Sequence, residues 1–308
     1  MLRIENLTKY YGKLAAVDGL NLELQAGDIM GFIGPNGAGK TTTIRIAATL
    51  LRPTSGTVYI DGVDVIADPE AVRPLIGYMP DFFGMYDDVK VWEYLDFFAA
   101  AYRIPRDRRN GTMDDVLELT DLTIKRDAFV SELSRGMQQR LCLAKTLLHD
   151  PKLLLLDEPA SGLDPRARIE IKELLKELRN MGKTILISSH ILPELADFCN
   201  KIAIIEQGRL VVSGDVESIM AQCRGGTVLK IGLVDRQDEA VAFLDGLGSV
   251  SETKIEDGFV VATYCGKPGE HHEILQALSS GGFKVQSFSE ADVDLEDVFL
   301  KVTRGAVQ

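Results

Sequence analysis

The stretch "GPNGAGKTT", Gly34 to Thr42, constrains this chain more than any other. Gly34-Pro35-Asn36-Gly37-Ala38-Gly39-Lys40-Thr41 fits GxxxxGK[ST] completely. The apolar run "IMGFIG" leads into it, and "TTTIRIAATLL" leaves it with helical spacing. A buried strand that turns through glycines into a helix points several backbone N–H groups inward, and the helix adds its positive end. Such a loop suits phosphate. The residues from Gly34 to Thr42 are therefore the candidate nucleotide-binding set, with Lys40 placed to reach the β- and γ-phosphates and the Thr41 hydroxyl to hold Mg²⁺.

"LLLLDEP" supplies the second half. Four leucines make a buried strand, and Asp157 falls at its C-terminal edge, where α/β proteins bind ligands. Asp157 is placed to support the Mg²⁺. Glu158 beside it is placed to take a proton from an attacking water or to polarise it.

The flanking pattern sets the fold class. "LRIENLTKYYG" and "AVDGLNLELQAGD" alternate like strands, as do "RPTSGTVYIDG" and "VRPLIGYMPD". From about Val91 to Leu148 the spacing turns helical, with a candidate capping box at Thr112 and Asp115. Strand-like runs return in "KLLLLDEP", "KTILISSH" and "IAIIEQGRLVVSG". Strands alternating with helices predict an α/β fold with a mostly parallel sheet core, an antiparallel β subdomain and a helical insertion at about 86–148. The character shifts again near Arg224-Gly225-Gly226. The tail reads strand, helix, strand, turn (Glu256-Asp257-Gly258), strand, helix, strand, a ferredoxin-like α+β unit, and "DLEDVFLKV" reads as a short final helix. The expected domains are 1–224 and 225–308.

Charge and cysteine usage narrow the function classes. A net charge of −12 and a pI near 4.9 argue against a nucleic-acid partner. Cys142, Cys199, Cys223 and Cys265 have no CxxC spacing, which suits a reducing, cytosolic compartment. No apolar run reaches the length of a bilayer span, so membrane work would require a separate chain to cross.

With these motifs in place, the chain resembles the ATP-binding cassette family over Met1 to about Gly214. "LSRGMQQR", Leu133 to Arg140, is similar to the family's signature, and "SGLD", Ser161 to Asp164, to its D-loop. His190 in "ISSHILPE" stands where the family places its switch histidine, and Tyr11 in "KYYG" matches the aromatic that stacks on adenine, with Tyr10 a substitute. Read from spacing alone, Ser134 caps an amphipathic helix bearing Met137, Leu141, Ala144 and Leu148 on one face. The resemblance implies more: Ser134, Gly136 and Asp164 belong to a composite site, in which ATP binds between the phosphate loop of one subunit and the signature of another, and His190 bonds the γ-phosphate. It implies a homodimer of nucleotide-binding domains on ATP binding, a separate transmembrane permease, and a peripheral place on the inner face of the cell membrane. His271 and His272 read as surface helix positions.

Three residues depart from the family pattern: Asp81, Arg135 and Met137, which stands at the usual glutamine of the signature. Asp81 stands at a usual glutamine. A carboxylate beside bare phosphates is repelled by about 4 kcal/mol at about 4 Å and an effective dielectric of about 20. It therefore contacts Mg²⁺ or faces away, and metal contact is the reading taken. Arg135 stands at a usual glycine and could attract a partner's nucleotide or contact another protein.

The ending "DLEDVFLKVT" looks like that of ATPase subunits of ABC-2-type exporters, including drug-resistance pumps. The aromatic-rich "FFGMYDDVKVWEYLDFF" suits both a helical core and the groove that receives a permease helix. The competing classes are a soluble regulatory or repair ATPase whose C-terminal domain binds a partner, and a small-molecule kinase, which would leave the signature and D-loop unexplained.

Overall fold

The computed structural model describes residues 1–290 except 83, 85, 87, 192–194, 196–197, 217, 220–226 and 267–268. The chain divides into two compact units after Val216. The stretch around Arg224, where the composition shifts, and the expected final helix "DLEDVFLKV" both lie outside the described residues.

In the first unit, β1 (Leu2–Tyr11), β2 (Leu14–Leu24), β4 (Ser55–Ile60) and β5 (Val63–Asp64) form an antiparallel sheet in the order β2-β1-β4-β5. A second sheet runs β10-β9-β3-β8-β7-β6, built from β3 (Ile29–Ile33), β6 (Ile76–Met79), β7 (Leu153–Asp157), β8 (Thr184–Ser189), β9 (Lys201–Glu206) and β10 (Arg209–Asp215). Five of its strands are parallel, and β10 returns antiparallel along the β9 edge. Every residue of β3, β7 and β8 is buried, which explains why they read as unbroken apolar runs rather than as alternation. The run "IAIIEQGRLVVSG" is two strands, turned by Gln207 and Gly208, both at positive φ.

Helix α1 (Lys40–Ala47) lies between the sheets. Its Ile44, Ile46 and Ala47 share one core with Leu2, Ile4, Val58 and Ile60 of the antiparallel sheet and with Phe32, Leu153, Leu155 and Leu186 of the parallel one. Burying a side chain of this size contributes about 1.5–3 kcal/mol. The phosphate loop is thus anchored from both layers.

A short helix that the sequence reading did not contain, α2 (Pro69–Val72), starts on Asp68, whose carboxylate accepts the Ala71 N–H. The helical insertion carries α3 (Val91–Ala101), α4 (Arg106–Leu119) and α5 (Arg135–Leu147). The expected capping box at Thr112 is wrong. Helix α4 begins six residues earlier, and the Thr112 hydroxyl, inside the helix, donates to the Arg108 carbonyl at 3.1 Å. The single apolar face expected of α5 is also too narrow. Leu141, Cys142, Leu143, Ala144, Thr146 and Leu147 are all buried, because α5 packs at once against α3, α4 and β6. Helix α6 (Pro165–Asn180) follows β7.

The second unit orders β11 (Thr227–Leu233), α7 (Gln237–Asp245), β12 (Val250–Glu256), β13 (Phe259–Tyr264), α8 (His272–Ser280) and β14 (Val285–Glu290). Its sheet order β12-β13-β11-β14 is fully antiparallel, the split βαββαβ arrangement. Leu229, Ile231, Val260 and Ala262 meet Ala240, Leu244, Ile274 and Leu278 in its core. Asp257 and Gly258, at φ 50° and 78°, make the two-residue hairpin turn. His271 is not a surface residue as expected. It is partly buried, its ring lying 6.2 Å from Phe288 and 6.5 Å from Tyr264, with Nδ1 3.4 Å from Glu290.

Candidate nucleotide site

Parallel strands bring their C-terminal ends to one edge, so the turn after β3, Asp157 at the end of β7 and the last residues of β8 converge. Gly39 enters α1 at φ 103°, and a Cβ there would sit 2.3 Å from the Ala16 carbonyl. Only glycine fits both demands.

Lys40 is 6% exposed. Its Nζ donates to the Gly34 carbonyl at 2.6 Å and the Pro35 carbonyl at 3.3 Å, and lies 3.6 Å from Glu158 Oε1. Burial pulls its pKa below the ordinary lysine value, and the Glu158 carboxylate opposes that shift. The ammonium is thus folded back over its own loop and desolvated.

Asp157 is 1% exposed. Its Oδ1 accepts from Thr41 Oγ1 at 3.1 Å and from Ser188 Oγ at 2.7 Å, while its Oδ2 is buried without a partner. Burial pushes its pKa up, the two hydroxyls pull it down, and the Asp81 and Glu158 charges push it up again. A buried carboxylate oxygen without a partner, next to a threonine hydroxyl, fits a hard divalent cation. Among the described residues no three His, Cys, Asp or Glu side chains converge to hold a metal on their own, so phosphate oxygens would have to complete the shell.

Glu158 adopts φ 50°, a left-handed conformation that costs a non-glycine residue about 1–3 kcal/mol. Its N–H donates to Ser188 Oγ at 3.0 Å, and its Oε2 lies 2.9 Å from His190 Nδ1. The carboxylate therefore bridges Lys40 and His190.

A single cleft is lined by Tyr11, Asn36 through Thr42, Asp81, Glu158, Ser161 and His190. Tyr11 lines it and Tyr10 does not, which separates the two candidates by position. Gly34 and Pro35 sit behind it, holding Lys40 through their carbonyls. Ser134, Gly136 and Asp164 stand apart from this cleft. Ser134 caps α5 by accepting the Met137 N–H at 3.3 Å, and Asp164 caps α6 by accepting the Ala167 N–H at 2.9 Å. Ser188 was missed from sequence, and Ser161 was read only as the start of the D-loop stretch. Ser188 ties Asp157 to Glu158, and Ser161 closes the cleft wall. Ser188 carried one legible signal, since it lies two positions before His190 on the same strand run.

A complete phosphate loop on a parallel sheet edge, a buried carboxylate beside it and a helical insertion define a P-loop nucleotide-binding cassette. The ABC transporter family model matches residues 17–161, and the chain belongs to the ABC transporter ATP-binding proteins. It is 35% identical over 304 residues to Nod factor export ATP-binding protein I of Cupriavidus metallidurans, covering 98% of this chain and 97% of that one. It is 31% identical over 306 residues to the daunorubicin resistance ATP-binding protein DrrA3 of Streptomyces coeruleorubidus, covering 98% and 95%. Among solved structures it is similar to an ATP-binding cassette captured as a dimer in a post-hydrolysis state with ADP and Pi, with TM-score 0.63, 26% identity, and coverage of 70% of this chain and 99% of that one. This chain is accordingly an ATPase subunit of the ABC class. No helix among the described residues is long and apolar enough to cross a membrane.

Proposed function

We propose that this chain powers a membrane exporter from the inner face of the cell membrane, by closing as a homodimer on ATP and reopening after hydrolysis. The observation that carries the reading is similarity along almost the whole chain, second unit included, to proteins named for export and drug resistance. Those names do not favour a soluble regulatory or repair ATPase.

Each residue then has a task. Tyr11 stacks on the adenine. The N–H groups from Asn36 to Thr42 cradle the phosphates, and Lys40 exchanges its loop carbonyls for phosphate oxygens. Thr41 and Asp157 would hold Mg²⁺, which would neutralise charge on the phosphates. Glu158 draws the proton of the attacking water, and His190, released from Glu158, donates to the γ-phosphate. Ser134 and Gly136 of a second copy cover that phosphate with the N-terminus of α5, while Asp164 keeps the start of α6 in register.

Asp81 lies on the same cleft wall and presses on Asp157 electrostatically, which supports metal contact, direct or through water. Asp81→Asn removes the charge and keeps the shape. The half-maximal Mg²⁺ concentration for hydrolysis should rise about five-fold or more, as expected for loss of one charge-assisted contact. An unchanged Mg²⁺ requirement contradicts the assignment.

A permease-binding face is supported by α3. Val91, Tyr94, Leu95 and Ala99 are buried, whereas Phe97 is 57% exposed and packs edge-on against Tyr86, itself 61% exposed. Phe82, at 87% exposure, adds to this apolar surface. The tagged full chain should retain a polytopic membrane protein from detergent-solubilised native membranes, and Phe97→Asp should reduce that retention about ten-fold or more. Retention of only soluble partners would favour the regulatory alternative.

A further inference from the structure

We propose that Arg135 is a positioning residue that holds the loop from Glu158 to Leu163 in its own subunit, so that the start of α5 and the hydrolytic carboxylate move as one piece. Arg135 Nη2 donates to the Ser161 carbonyl at 3.3 Å. The guanidinium also lies over Gly162, where an added Cβ would meet Nη2 at 2.4 Å, Cζ at 2.5 Å and Nη1 at 2.6 Å. Gly162 has φ 66°, so the absence of a side chain serves both the turn and the arginine above it.

The contact continues along α5. Gly136 approaches α6 closely enough that a Cβ would sit 3.1 Å from Ala167 Cβ, and buried Gln139 donates through Nε2 to the Pro159 carbonyl. The loop reaches the cleft within one turn, since the Ser161 N–H donates to the Glu158 carbonyl at 3.0 Å and Ser161 lines the cleft beside Glu158 and His190. Arg135 adjoins Ser134, which on the reading above covers the nucleotide of the other subunit. The inference rests on that reading. Its consequence is that closure over one nucleotide is passed to the carboxylate facing the other. A glycine at position 135 would remove the guanidinium's contacts and keep those of Gly136 and Gln139.

Arg135→Ala in the full chain tests this. In the nucleotide-free protein, amide exchange at 160–163 should become about five-fold faster, the loss of one such hydrogen bond, while exchange elsewhere and Tm stay unchanged. ATP Kd should remain within about two-fold, and kcat should fall about five-fold or more. Gly162→Ala should impair turnover more in the wild-type background than in the Arg135→Ala background, because the arginine supplies the clash. Unchanged loop exchange, intact kcat, or equal effects of Gly162→Ala in both backgrounds would each overturn the proposal. Wild-type protein that does not hydrolyse ATP would strike the ATPase reading instead, and loop exchange would still decide the role of Arg135.

Discussion

Glu158→Gln should stop phosphate release almost completely while ATP still binds. The substitution preserves size and removes the one negative group that faces both Lys40, at 3.6 Å, and His190, at 2.9 Å. A positioned general base contributes about 100-fold to 10,000-fold, and an amide cannot accept a proton from water in this range of pH. Hydrolysis should therefore fall by about that factor. Binding should not follow. Lys40 keeps its bonds to the Gly34 and Pro35 carbonyls, and the loop N–H groups are untouched. Without the carboxylate beside it, the ammonium is freer to turn to a phosphate, so ATP affinity should hold or rise. The left-handed turn at Glu158 is secured by its N–H bond to Ser188, which the amide retains. Phosphate release measured beside nucleotide Kd separates the two effects. Near-normal release removes Glu158 from the chemistry.

The resting arrangement gives this result a physical logic. A buried lysine and a partly buried carboxylate cost desolvation energy that their mutual attraction only partly offsets. Here the carboxylate also engages His190, so the two groups proposed for the γ-phosphate are both held by the one proposed for the water. On the proposed roles, an arriving phosphate would replace Glu158 as the partner of Lys40 and His190 and leave the carboxylate to the water.

The phosphate loop was legible because its residues are contiguous and lie between a fully buried strand, β3, and helix α1. The leucines of β7 and the apolar residues of β8 read correctly because parallel strands covered on both faces leave no polar alternation. The βαββαβ order was legible because its short strands are set off from its helices by connections of which four in five carry glycine. Ser188 was legible only through its spacing from His190, because its place beside Asp157 is set by the register between β7 and β8, across 31 positions of sequence. The contact between Arg135 and Ser161 is likewise tertiary and spans 26 positions. Helix α4 misled for a local reason. Its first two turns are polar and contain Gly111, which hid the true start, and the Thr112 pattern at their end mimicked one.

The account turns on a site completed by a second copy, since Ser134 and Gly136 lie outside the cleft that holds Lys40 and Glu158. Ser134 allows a test that spares the fold. Aspartate caps a helix as well as serine does, so Ser134→Asp should keep α5 and Tm. It also places a carboxylate where the partner's phosphate must sit, whereas Ser134→Asn offers a neutral cap. The direct measurement is turnover per chain over about a 100-fold range of protein concentration for these three proteins. The account predicts a per-chain rate that rises with concentration in wild type, survives largely in Ser134→Asn, and falls about 100-fold or more in Ser134→Asp, on the scale of removing a transition-state contact. A flat per-chain rate at every concentration, equal in wild type and Ser134→Asp, would contradict it.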